Sequence, residues 1–184
     1  SNGFASAAPY PRITIWTRPA VTGPGAMPFD DWLELVVTHE VVHILHLEMT
    51  GPLGRGARRL LGRPAVGWPH FPAFLLPAWA VEGVAVEAES SLTGGGRVHG
   101  ARFEAMARAR LLGGERETLA QVMGPSPLFP GGERPYTWGG LFFHHLAETR
   151  GEAAVSAFFR FQAERLNPLR LNASARDAFG RSLE

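Results

Sequence analysis

The sequence has no cysteine. That excludes disulfide scaffolds, thiol nucleophiles and cysteine-ligated zinc sites together. Lysine is absent too: all eighteen basic residues are arginine, which reads as a G+C-rich coding bias. Charged residues make up only 19% of the chain and nearly cancel, at net +1. With no long basic run, a nucleic-acid partner has no electrostatic footprint to bind. Apolar runs are broken by Pro, Gly, His or Glu well short of the roughly 18 residues a membrane span requires, so no transmembrane segment is expected.

What is present suits one globular domain over residues 1–184, with 45% hydrophobic residues to form its core. Ser1-Asn2 reads as a cloning remnant that leaves room for a removed signal peptide. The ending Gly180-Arg-Ser-Leu-Glu184 reads as the edge of a longer chain.

Residues 12–17 (RITIWT) alternate and are β-branched, and form the only clear predicted strand. Residues 18–29 hold three Pro and two Gly and are read as loop. Asp30 or Asp31 is expected to cap a helix running to about residue 49, where Thr50-Gly51-Pro52 ends it. Residues 51–77, rich in Gly, Pro and Arg, make a long excursion with a short helical turn near 57–61. Further helices are expected at 77–91, opened by Pro77, and at about 100–112. A helical pair at 136–149 and 152–166 is split by Gly151, and Asn172 caps a last short helix. No internal repeat is present. The predicted class is α+β, mostly helical.

The chemistry centres on His39-Glu40-Val41-Val42-His43. Residues four apart on a helix project from one face, so His39 and His43 present two imidazoles to one point, as a tetrahedral zinc needs. Glu40, rotated about 100° from His39, reaches a water in the open fourth position instead of the metal. A chance occurrence in an ordinary helix is the alternative. The helix is apolar nearly all round, however, and reads as a core element in which two His and a Glu need partners. The metzincin continuation fails, because His46 and Met49 stand where a Gly and a third His belong. The best third ligand is Glu82, in mid-helix among Trp79, Val81, Val84 and Val86, with Gly83 letting another backbone approach. Glu89 lies seven residues on, on the same face, placed to accept a hydrogen bond from a ligand imidazole; an ordinary solvated acid is its alternative. Glu87 is read as surface.

This ordered set, H-E-x-x-H and then P-x-W-x-x-E-G-x-A, resembles the gluzincin clan, which includes thermolysin and the zinc aminopeptidases. It is more similar to bacterial peptidase-MA-like domains fused to a Tol-type β-propeller. The similarity runs through HEVVHILHLE, FPAFLLPAWAVEGVAVEAES, Gly96-Arg97, RFEAMARAR and YTWGGLFFHHLAETRGEAAVSAFF, covering most of residues 36–184. The resemblance implies a zincin-like fold, here with a small β-sheet, one Zn2+ bound by His39, His43 and Glu82, and hydrolysis of a peptide or protein substrate. It also implies export to the periplasm or outside the cell, and a C-terminal β-propeller in the longer protein. Tyr136, in Tyr136-Thr-Trp-Gly139, matches the Y-x-x-G tyrosine that hydrogen-bonds the oxyanion in the aminopeptidase branch. Its alternative is a buried phenol tying down the preceding loop.

Two departures separate the chain from aminopeptidases. Glu82 follows His43 by thirty-nine residues because of the 51–77 insertion. Gly25-Ala-Met-Pro-Phe29 carries Pro28 where an amine-binding acid belongs.

Among the remaining histidines, His46 is read as supporting a ligand or packed, with an extra ligand or a substrate-binding group as its alternative. Of His144 and His145, one is expected packed and one exposed, while His70 and His99 are read as surface. His70 and His144 are the fallback third ligands. Arg55 to Arg63 read as a solvated stretch able to meet a partner or an acidic peptide. The competing reading of the whole is a non-catalytic zinc-containing module for peptide binding or structure.

Overall fold

The computed structural model describes residues 2–18, 31–114, 118–123 and 127–183. Two short strands, β1 (Gly3–Ser6) and β2 (Arg12–Ile15), form a two-stranded sheet. Trp16 N–H donates to the Asn2 carbonyl at 2.9 Å, and the Phe4 and Trp16 rings meet at 5.9 Å. The second strand was expected; β1, with the sequence GFAS, shows no alternation that would announce it. Everything else that is regular among the described residues is helical, in agreement with a mostly helical α+β class.

Helix α1 (Trp32–Glu48) starts where Asp31 accepts the Glu34 N–H at 3.1 Å, so Asp31 acts as the cap. Leu35, Val36, His39, Glu40, His43, His46 and Leu47 are buried along one side. Leu33, Val37, Val41 and Leu45, spaced four apart, are exposed on another. The expectation of an all-round core helix is therefore corrected: one apolar stripe faces outward.

The insertion is more ordered than its composition suggests. Pro52 opens α2 (Pro52–Leu61), longer than the expected turn, and a 3-10 turn follows at Pro72–Leu75. Pro77 lies just before α3 (Ala78–Leu92), as its extended cap, not as its first helical residue. Then come α4 (Ala101–Leu112), the single turn α5 (Leu119–Val122) in a Thr118–Gln121 capping box, and a 3-10 turn at Gly131–Glu133. Helix α6 (Arg134–Arg150) begins two residues earlier than expected. Gly151, at φ 87°, separates it from α7 (Glu152–Glu164). In α8 (Leu171–Phe179) Asn172 is not the cap; its side chain instead accepts the Leu183 N–H at 3.0 Å.

The chain divides into two compact units, with the division passing through α1 between Val42 and His43 and through α6 between His144 and His145. In the first, Trp79 stacks on Phe143 at 5.6 Å, and α3 meets α6 where Gly83 and Gly139 touch. A Cβ on Gly139 would lie 2.1 Å from the Trp79 carbonyl oxygen, so only glycine permits this approach. In the second, Phe71, Phe158, Phe159 and Phe179 are buried. Buried Gln162 donates to the carbonyls of Pro72 and Pro168.

The 55–63 arginines are not simply solvated. Arg58 and Arg63 both pair with Glu48 and both lie over the Phe71 ring, at 4.3 and 5.3 Å. Arg58 also holds the His70 carbonyl, and Arg63 the carbonyls of Ala7 and Pro9.

Candidate metal centre

Helix periodicity puts His39 and His43 one turn apart on the buried side of α1, and α3 brings in Glu82. One donor atom from each of the three lies within 4.8 Å of the others, a group that could hold a metal ion. Neither fallback, His70 nor His144, belongs to it.

His39 is held from both ends. Its Nδ1 is 2.9 Å from Glu89 Oε2, and its Nε2 is 3.2 Å from Glu82 Oε2. Arg97 Nη2 also approaches Nδ1 at 2.9 Å, yet the same nitrogen donates to Glu89 Oε2 at 2.8 Å. A cation beside a fully buried carboxylate keeps that carboxylate ionised, so the ring proton is assigned to Nδ1, donating to Glu89. In the neutral imidazole, Nε2 then presents a lone pair to the lone pairs of Glu82. Two acceptors in contact need a cation between them, either a proton or a metal.

The spacing fits a metal as well as a proton. Two bonds of roughly 2.0–2.2 Å at a tetrahedral angle place their donors about 3.3 Å apart, close to the observed 3.2 Å. Two imidazoles and one carboxylate are also a donor set that zinc accepts.

The electrostatics show the same demand for a cation. Burial alone lowers the pKa of His39, but hydrogen bonds that its protonated ring donates to Glu82 and Glu89 outweigh it and leave the metal-free histidine more basic than usual. Burial alone would raise Glu89, but Arg97 and then His39 bring it below the ordinary carboxylate value. Glu89 is fully buried, so the solvated-acid alternative for it fails.

Arg97 entered the sequence reading only within the Gly96-Arg97 match, and its place beside Glu89 was not anticipated. Its Nε donates to Glu89 Oε1 at 2.7 Å, and its guanidinium lies 5.0 Å from the centre of the Tyr136 ring. Gly96 makes this possible: at φ 100° it turns the chain back over α3, where a Cβ would come within 2.3 Å of Ser90 Cα. The available signal was a cation directly after the glycine break at 94–96 and eight residues past Glu89.

Tyr136 lies in the first turn of α6, its ring 6.3 Å from that of His39 and tilted by 23°. Neighbouring residues fix that turn. Arg134, fully buried, donates to the carbonyls of Phe129 and Gln121, and Glu133 pairs with Arg102. Burial first, then the charge of Glu82, raises the Tyr136 phenol well above its usual pKa, so it stays a proton donor. Glu40 is buried on α1, with β1 directly against it: a Cβ on Gly3 would lie 3.0 Å from Glu40 Oε1.

The other candidates scatter. His46 packs edge-on against Phe159 at 4.3 Å, and among the described residues neither ring nitrogen has a hydrogen-bond partner. Burial, then the charge of His43, lowers its pKa to about 3. Glu87 is buried, not surface, and accepts from Ser91. His70 is likewise buried, whereas His99 is exposed as expected and lies edge-on to His144. His144 is half-buried and His145 exposed. Pro28 lies outside the described residues.

No family model, curated protein or solved structure matches this chain. The functional reading rests on the chemistry of the site.

Proposed function

We propose that the protein is a zinc-dependent peptidase of gluzincin type, with His39, His43 and Glu82 holding the ion. The observation that carries this reading is the facing of His39 Nε2 and Glu82 Oε2 at 3.2 Å, beside His43 and with Glu40 next in the helix. Bound zinc would polarise the scissile carbonyl and make water more acidic. Glu40 would take the proton of the attacking water and return it to the leaving amine. The Tyr136 phenol, kept protonated, would donate to the oxygen that gains charge. Glu89, with Arg97 behind it, would hold the His39 ring in orientation.

Zinc titration followed by a peptide-library cleavage assay tests the proposal. About one zinc per chain and metal-dependent cleavage are expected, and Glu40→Gln should keep the zinc while losing cleavage by a factor on the order of a hundred or more. Cleavage by Glu40→Gln at the parent rate would refute the mechanism. Stoichiometric zinc with no cleavage by the parent would favour the non-catalytic module.

A further inference from the structure

Between Glu48 and Glu82 the chain carries charge of one sign. No acidic residue occurs from Met49 to Val81, whereas Arg55, Arg58, Arg59 and Arg63 all fall there. Helix α2 at the centre of this stretch is amphipathic, but it is mounted with part of its polar side inward. Gly54 is buried against Thr50 and the Pro69 carbonyl, and Arg58 reaches in to the carbonyls of Glu48 and His70. Leu60 and Leu61, by contrast, are 83% and 67% exposed, and Leu53, two turns earlier, is exposed as well. A helix that only had to fold would bury this stripe.

The same stretch exposes two further apolar pairs, Val66 with Trp68 and Phe74 with Leu75. They are neighbours, since Gly67 lies against the Leu75 side chain. Arg55 and Arg59 are exposed on the same helix as the leucines.

We propose that α2 and the 66–75 segment form a docking surface for an anionic lipid bilayer. Leucines would enter the acyl boundary, Trp68 and Phe74 would sit at headgroup depth, and the exposed arginines would meet lipid phosphates. The contact lies in the plane of the membrane: no helix among the described residues is long and apolar enough to cross one. A second copy of the chain is a poorer occupant, because a two-fold contact through this face would set arginine against arginine with no acid to answer it.

Co-sedimentation of the protein with vesicles of equal parts phosphatidylglycerol and phosphatidylcholine, beside phosphatidylcholine alone, tests this without involving the metal site. Binding to the anionic vesicles is expected to be stronger by on the order of tenfold and to weaken with salt. Replacing both Leu60→Asp and Leu61→Asp should lower it by on the order of tenfold again. Arg59→Gln should cost roughly fivefold. All three positions are exposed, so circular dichroism should show unchanged helicity. Equal partition onto both vesicles would overturn the proposal. So would indifference to the leucine substitutions, or a dimer that those substitutions dissolve in a protein that ignores vesicles.

Discussion

Both oxygens of Glu89 are occupied, one by Arg97 alone and the other by His39 and Arg97 together. By taking the Nδ1 proton, this carboxylate turns the lone pair of Nε2 toward Glu82. Glu89→Gln is therefore expected to weaken zinc binding by roughly 10–100-fold, read by competition with a chelating dye. Unchanged affinity would mean that packing alone orients the ring. His46 gives a second prediction at this scale. Burial pushes its pKa in the folded chain down to about 3, from the ordinary histidine value of 6.5, so below pH 6.5 the unfolded chain takes up a proton that the folded chain refuses. The stability it contributes is complete above pH 6.5 and is lost as pH falls toward 3, at up to about 1.4 kcal/mol per pH unit. His46→Leu should flatten that part of the curve of urea midpoint against pH; an unaltered acid slope would place the sensitivity elsewhere.

At the scale of elements, the position of Glu82 follows from the approach of α3 to α6. Gly83 and Gly139 face each other with no room for a methyl group, and a Cβ on Gly83 would lie 2.4 Å from the Gly139 carbonyl carbon. Gly139→Ala should destabilise the fold by about 1–3 kcal/mol, measured by urea unfolding, and should weaken metal binding as α3 shifts away. A variant as stable as the parent would show that the helices can separate freely. Helices α1, α3, α6 and α7 were readable because long apolar-rich runs and terminal signals agree in each. Helix α2 was read as a shorter turn because its inward side carries Gly54 and Arg58, not an apolar stripe. Strand β1 was missed because GFAS has no period-two pattern, and only pairing with β2 makes it a strand.

Across the whole chain, the least legible contacts join residues far apart in sequence. Glu48, at the end of α1, receives Arg58 and Arg63, and these arginines reach on to the carbonyls of His70, Ala7 and Pro9. Glu48→Ala leaves two part-buried guanidinium groups without their carboxylate. It should accelerate amide exchange in α2 while leaving exchange in α3 unchanged. Equal protection in α2 would show that stacking on Phe71 suffices to hold the insertion. The sequence by itself determined the helical class and the pairing of His39, Glu40 and His43, because a single helical turn sets both. It also marked Glu82 and Glu89, since acids in an apolar helix need partners. Only the tertiary structure decided that Glu82 faces Nε2 while Glu89 takes Nδ1, that Arg97 stands behind them, and that Glu87 and His70 are buried. It alone decided that α2 turns leucines outward. Each of these depends on which distant backbone covers a residue, and short-range periodicity does not contain that information.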